Sequence, residues 1–276
     1  MVYQNTPPGA AEQSGKKKMI ITVENLVTHY GDKKILDGVD FSVSQGEIMV
    51  IMGGSGSGKS TLLRHLLGLD TPTSGSIYLN DVDIVNASRR EITALRKKIG
   101  VAFQGGALLS SLSVGDNVKL PLRQLTNLDE NTISIMSRLK LELMNLVEVE
   151  DLMPSELSGG MLKRVGLARA VVMDPRILFF DEPSSGLDPV TSVELDELIL
   201  KLRAAMNMTI VVVTHELESA FKIADKITVL FDGQIAIAGT VDDIKNCQDL
   251  RVQNMINRRP RTEIVDADQY FNRLTR

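Results

Sequence analysis

Residues 53–60 read GGSGSGKS, match the pattern GxxxxGK[ST], follow the apolar run IMVIM (48–52) and open the helical stretch STLLRHLLG. Each residue type there suits the gripping of phosphate. Gly53, Gly54, Gly56 and Gly58, with Ser55 and Ser57 between them, form a loop whose backbone N–H groups can wrap phosphate oxygens. The helix start adds the positive end of its dipole. Lys59 would set a full charge against the β and γ oxygens and Ser60 would offer a hydroxyl to magnesium. Thr61 would reach the α-phosphate side of the cradle, although its place also suits an ordinary second helical residue.

A second stretch, ILFFDEP (177–183), reads as a buried strand ending in two carboxylates. Strand side chains alternate, so Asp181 and Glu182 point different ways and can hold different roles. Asp181 would hold magnesium through water, and Glu182 would polarise a water attacking the γ-phosphate. His215 follows the apolar run TIVVVT, at the strand end where ligands of α/β folds gather, and is expected to contact the same phosphate. His29 and His65 have ordinary structural readings in a turn-bound segment and a helix.

A third stretch, LSGGM (157–161), precedes the helical run KRV and offers anion-binding groups without a base. The Ser158 hydroxyl and the Gly159 and Gly160 amides at a helix start can grip a phosphate but cannot anchor a nucleotide by themselves.

Positioning these three stretches takes a layered α/β architecture. The continuously apolar runs IMVIM, ILFFD, TIVVV and ITVLF (227–231), with helical stretches between them, predict a mainly parallel core sheet buried on both faces. Alternating segments at 20–26, 41–43 and 76–79 predict an antiparallel region near the start. Between Gln104 and Pro175 the pattern turns helical: Ile133, Met136, Leu139, Leu143 and Leu146 recur at helical spacing, predicting one helix over 129–150 in an inserted subdomain at about 105–174. Asp232–Gly233 predicts a tight hairpin. The expected division is a disordered leader (1–18), a P-loop core (19–240) and a C-terminal extension (241–276) with one helix over 241–257 before Pro260. Tyr270 and Phe271 would dock that extension on another subunit or a partner protein, the alternative reading being a frayed surface tail.

Composition narrows the function. A net charge of −4, aromatics at 4% and no Trp argue against nucleic acid as the main partner. The single cysteine, Cys247, permits no intrachain disulfide and fits a reducing compartment. The leader lacks the apolar segment of a secretory signal.

GGSGSGKST, VAFQ (101–104), LSGG, ILFFDEP, SGLDP (185–189) and His215 stand in the order and approximate spacing found in ABC-type ATPase subunits, and the resemblance runs from Ile20 to Gly239. It implies the P-loop ABC ATPase fold and ATP hydrolysis with Mg2+. Tyr30 resembles the aromatic that stacks on adenine, Gln104 the glutamine that touches magnesium and senses the membrane partner, and Asp188 the aspartate at the dimer seam. Two copies would pack head to tail, with the Ser158 to Met161 signature of one closing on the ATP of the other. The family's signature usually ends LSGGQ. Met161 in place of that glutamine, together with the apolar loop at 103–122, resembles the ATPases of Mce-type phospholipid transporters.

That narrower resemblance implies an inner-membrane permease, a periplasmic MCE protein reached through it, a small STAS-domain protein, no nucleic acid, and a peripheral place on the cytoplasmic face of the inner membrane. Leu108, Leu109 and Leu112 read either as permease contacts or as subdomain core. The alternative functions are amino-acid or lipoprotein transport, and a non-transport ABC protein acting on ribosomes or DNA. Neither tandem cores nor a long coiled coil is present to favour the last.

Overall fold

Half-buried alternation builds the first layer. The computed structural model describes residues 18–259. Its first two strands, β1 (Met19–Tyr30) and β2 (Lys33–Ser44), form an antiparallel hairpin in which Ile21, Val23, Leu26, Leu36, Val39 and Val43 are buried. They are longer than the sequence pattern shows, because register shifts along the pair break the strict alternation.

The fully buried β3 (Ile48–Gly53) runs through the loop at 54–58 into α1 (Lys59–Leu66). The chain then returns through β4 (Ser74–Leu79) and β5 (Val82–Asp83), which complete a four-stranded sheet in the order β2-β1-β4-β5. Next come α2 (Arg89–Arg96) and β6 (Ile99–Ala102), a short strand that the sequence pattern did not mark.

Between β6 and the next core strand lie α3 (Val114–Leu125), α4 (Glu130–Leu143) and α5 (Gly159–Val171). The single helix expected over 129–150 is therefore shorter, capped by Asp129 and followed by left-handed residues at Asn145 and Glu148. Ile133 and Leu146 are buried as expected, but Leu139 and Leu143 are exposed and Leu141 takes the inward place. The chain's turn after residue 143 carries Leu146 to the core on a separate path, so it does not share the helix's inward face.

The remaining core elements are β7 (Ile177–Asp181), α6 (Pro189–Met206), β8 (Thr209–Val213), α7 (Leu217–Ile223), β9 (Lys226–Phe231) and β10 (Gln234–Gly239). The second sheet has the order β10-β9-β3-β8-β7-β6, parallel except for the β9–β10 hairpin. Every residue of β3 and β8 is buried, as a strand covered on both faces requires.

Two short helices, α8 (Val241–Lys245) and α9 (Leu250–Ile256), replace the single helix expected there. Asp249 starts a new helix by accepting from the Arg251 amide. Ile244 and Val252 are completely buried in the same apolar cluster as β3, β8 and β9, so this part of the extension is packed into the core. Residues 260–276, including Tyr270 and Phe271, and the leader at 1–17 lie outside the described residues.

Candidate active site

Strand register brings the three distant stretches to one edge. Ile51 of β3 pairs with Val213 of β8, and Val213 pairs with Asp181 of β7. Gly53, Asp181 and Thr214 thus leave the sheet side by side at its carboxyl end, the edge where open α/β sheets bind ligands.

The loop fits a phosphate chain for reasons visible in its packing. A Cβ at Gly53 would lie 2.4 Å from the Leu230 carbonyl oxygen and 2.6 Å from Ser57 Oγ, and one at Gly58 would lie 2.7 Å from Leu36 Cδ2. Gly58 also holds φ 103 as the N-cap of α1 and has no side chain to cap it. The amides of Lys59, Ser60 and Thr61 therefore stand without a side-chain acceptor at the positive helix end. Ser57 Oγ is buried without a hydrogen-bond partner. Ser55 and Gly56 are exposed at the loop tip.

Lys59 Nζ donates to the carbonyls of Gly53 (2.8 Å) and Gly54 (3.0 Å). Burial pulls its ammonium below the usual lysine range, while the charges of Glu182 and Asp181 oppose that. Asp181 shows the converse: burial raises its carboxyl, Glu182 adds to this, and Lys59 works against it. A cation held beside Asp181 would relieve that burial. Ser60, Asp181 and Gln104 are oxygen donors of the kind Mg2+ takes. Among the described residues no cluster of three or more His, Cys, Asp or Glu could cage a metal. Three protein oxygens are too few to cage the ion, so the set fits Mg2+ only where bound phosphate and water would supply further donors.

Glu182 is held from several sides. Its amide donates to Val213 O (2.8 Å), Thr214 Oγ1 donates to its Oε2 (3.2 Å), and His215 Nδ1 lies 2.9 Å from its Oε1. The residue itself adopts φ 49, a left-handed conformation unusual for a side chain of this size. Gln104, two residues past the end of β6, joins the same loop through Nε2 to Ser185 Oγ (3.1 Å). Sequence reasoning marked Glu182, His215 and Gln104 singly but did not see them linked, and it missed Thr214, Ser185 and Lys163. The signal for Lys163 was faint: a lysine on a helix whose Gly166 and Leu167 are buried.

The signature stands apart from this cluster. Ser158 is the N-cap of α5 and accepts from the Met161 amide (3.3 Å). A Cβ at Gly160 would come within 2.8 Å of Thr191 Cγ2, so the α5 start is pressed against the start of α6. Asp188 caps α6: its carboxylate accepts from the amides of Val190 and Thr191 and from the Thr191 hydroxyl, which hold it below the usual carboxylate range. Its side chain is thus committed within its own chain. Met161 is half-buried and packs on the main apolar cluster, so its thioether sits beside the core while Ser158 and Gly159 are exposed. Among the described residues no hydrogen bond joins 158–161 to the loop at 53–60.

Tyr30 is 51% exposed at the tip of the β1–β2 hairpin and its hydroxyl donates to Asp70 (3.2 Å). Of the three apolar loop residues, Leu108 packs on the core, Leu109 is exposed and Leu112 is half-buried. His65 is a buried structural histidine, bridging Thr28 Oγ1 and the Asp70 carbonyl.

The family model for ABC transporters matches residues 36–185. The chain belongs to the ABC transporter family. The intermembrane phospholipid transport system ATP-binding protein MlaF of Haemophilus influenzae is 42% identical over 233 residues, spanning 84% of this chain and 88% of the relative. The methionine import ATP-binding protein MetN of Carboxydothermus hydrogenoformans is 39% identical over 228 residues, 82% of this chain and 67% of the relative. Among solved structures, a dimeric ATP-binding cassette in a post-hydrolysis state bound to ADP and Pi superposes with a TM-score of 0.74 at 31% identity, covering 80% of this chain and 98% of that one. This ABC ATPase is accordingly the ATP-binding subunit of a transporter, coupling ATP hydrolysis to transport. No described helix is long and apolar enough to cross a membrane.

Proposed function

We propose that this subunit drives phospholipid transport between inner and outer membranes, working as a head-to-tail pair bound to an inner-membrane permease. The similarity to MlaF over most of both chains carries the choice of cargo. Separation of the signature from the P-loop within one chain supports the pair, because an anion grip without a nucleotide anchor needs the nucleotide of a second copy.

In this reading the loop at Gly53, Gly54, Ser55, Gly56, Ser57 and Gly58 and the amides of Lys59, Ser60 and Thr61 hold the phosphates of ATP, and Tyr30 stacks on adenine. Lys59 leaves the Gly53 and Gly54 carbonyls for the β and γ oxygens. Ser60, Gln104 and Asp181 would hold Mg2+. When bound, that ion supplies neutralisation of charge on the phosphate oxygens. Glu182, fixed by Thr214 and His215, accepts a proton from the attacking water, and His215 meets the γ-phosphate. The partner copy's Ser158, Gly159 and Gly160 would close the site, with Met161 and Asp188 shaping that seam.

The permease is expected in the groove lined by Phe103, Leu120, Pro121, Leu125 and Met173, next to Arg169. Arg169 holds the Gly106 and Ala107 carbonyls (2.7 and 2.9 Å), so the loop after Gln104 is braced. On α4, Ile135, Leu139 and Leu143 form an exposed apolar stripe suited to a small STAS-domain protein. A periplasmic MCE protein would be reached through the permease, leaving the ATPase peripheral on the cytoplasmic face of the inner membrane.

The deciding experiment is purification of the intact complex followed by lipid analysis. A permease with an MCE protein and bound phospholipid supports the proposal. A solute-binding protein with an amino acid replaces it with the import function that MetN's name describes.

A further inference from the structure

Lys163 is a lysine in the wrong place for an ordinary surface residue. It lies on α5, the helix that Ser158 caps, and is only 7% exposed. Lysines are almost never fully buried unless paired, and the usual partner is a carboxylate. Here all three hydrogen-bond partners are backbone carbonyls: Glu182 O (3.4 Å), Pro183 O (2.6 Å) and Ser185 O. An ammonium has three N–H groups and no acceptor, so its donor capacity is matched one to one.

The carbonyls converge because of the backbone that carries them. Glu182 is left-handed at φ 49, and the turn after it aims the oxygens of residues 182, 183 and 185 at one point. Three carbonyl dipoles directed at one buried spot repel one another, and a cation between them removes that repulsion. Burial pulls the Lys163 ammonium below its usual range, and the charge of Glu182 opposes this.

The same turn is a junction. Ser185 gives its carbonyl to Lys163 and accepts from Gln104 Nε2 on its hydroxyl. Glu182 gives its carbonyl to Lys163 while its carboxylate is held by Thr214 and His215. Lys163 is therefore the side chain that ties the signature helix to the backbone of the proposed base.

We propose that Lys163 is a positioning residue that fastens the Glu182–Ser185 turn to the signature helix and so holds the Glu182 carboxylate in place for hydrolysis. This rests on the reading of Glu182 as the base and of Ser158 as the grip on the partner copy's ATP. In a head-to-tail pair those two residues of one chain serve different nucleotides. Lys163 thus joins the turn that carries the base to the helix that grips the partner copy's ATP.

The test compares Lys163→Met, which keeps a long side chain and removes the donors, with Lys163→Arg and Lys163→Gln, which keep some. ATP affinity, kcat and the thermal midpoint are measured on the full chain, with Glu182→Gln alongside. The expected result is a kcat lower by about a hundredfold in Lys163→Met, with ATP affinity held within about threefold and partial recovery of kcat in at least one donor-bearing variant.

Unchanged kcat in a folded Lys163→Met protein overturns the proposal. So does a parallel loss of kcat, affinity and thermal midpoint, which marks a residue needed only for stability. Should Lys163→Met fail to fold, Lys163→Gln takes its place: a kcat that falls while affinity holds supports the proposal, and an unchanged kcat or a parallel loss overturns it. Normal turnover in Glu182→Gln removes the underlying reading of the base. A dead Glu182→Gln beside an active Lys163→Met removes the Lys163 proposal alone.

Discussion

His215 Nδ1 lies 2.9 Å from Glu182 Oε1, although 33 positions separate the two residues in sequence. The contact exists because Val213 of β8 pairs with Asp181 of β7, so the residues leaving those strands emerge next to each other. The carboxylate is thereby held by an imidazole on one oxygen and the Thr214 hydroxyl on the other. With a proton on Nδ1, the histidine orients the base, while its Nε2 lies 3.5 Å from Glu216 Oε1.

Glu182→Gln keeps the shape of the side chain and its bond from Thr214 while removing its basicity. ATP binding is expected to persist, with single-turnover hydrolysis slower by about 10²–10³-fold, within the usual range for loss of a general base. Size-exclusion chromatography with ATP should show an accumulated pair. Rapid hydrolysis by this variant would remove the general-base role.

His215→Ala releases one oxygen of that base without removing it. The expected loss in kcat is about tenfold to a hundredfold, with ATP affinity changed much less, because misplacement rather than loss of the base is the cause. Steady-state ATPase assays over a range of ATP concentrations separate the two parameters.

Gly53→Ala forces a methyl to 2.4 Å from the Leu230 carbonyl, and neither β3 nor β9 can yield without shifting the sheet. The expected destabilisation is about 1–3 kcal/mol, accompanied by weakened ATP binding. Denaturant unfolding and nucleotide titration read the two effects. Full stability and affinity in the variant would show that the loop has slack the packing denies.

Met161→Gln gives the signature a polar end, but it places an amide beside the apolar cluster. ATPase activity is expected to stay within about threefold, with stability lower by about 1 kcal/mol. Complete loss of activity would make this side chain a principal contact rather than a secondary one.

Asp196 gives the pH dependence. It is 3% exposed, accepts from the Ser219 hydroxyl, and is pushed above the usual aspartate range, chiefly by burial. A carboxyl raised in the folded state binds its proton more tightly there than in the unfolded chain, so it subtracts stability as pH rises from the unfolded value to the folded one. Asp196→Asn keeps an acceptor for Ser219 and removes the buried charge. It should therefore be more stable than the parent at neutral pH, and the difference should vanish once pH falls below the unfolded value near 3.8. Thermal unfolding at a series of pH values checks the sign.

The sequence alone determined what is local. Eight consecutive residues make the phosphate loop, because tight turning and close approach fall to Gly53 and Gly58 and the charge to Lys59. The runs IMVIM, ILFFD, TIVVV and ITVLF carried their own evidence of being buried on both faces, and all four are core strands. Tertiary structure decided what depends on partners distant in the chain. Leu139 and Leu143 share helical spacing with buried neighbours, yet α4 ends at Leu143 and turns that face outward, a result of packing that periodicity does not encode. Likewise nothing near Lys163 in sequence announces the three carbonyls it meets, since these are presented by a left-handed turn beyond another strand. Periodicity records which side of an element is apolar, whereas register and chain reversal choose which residues finally touch.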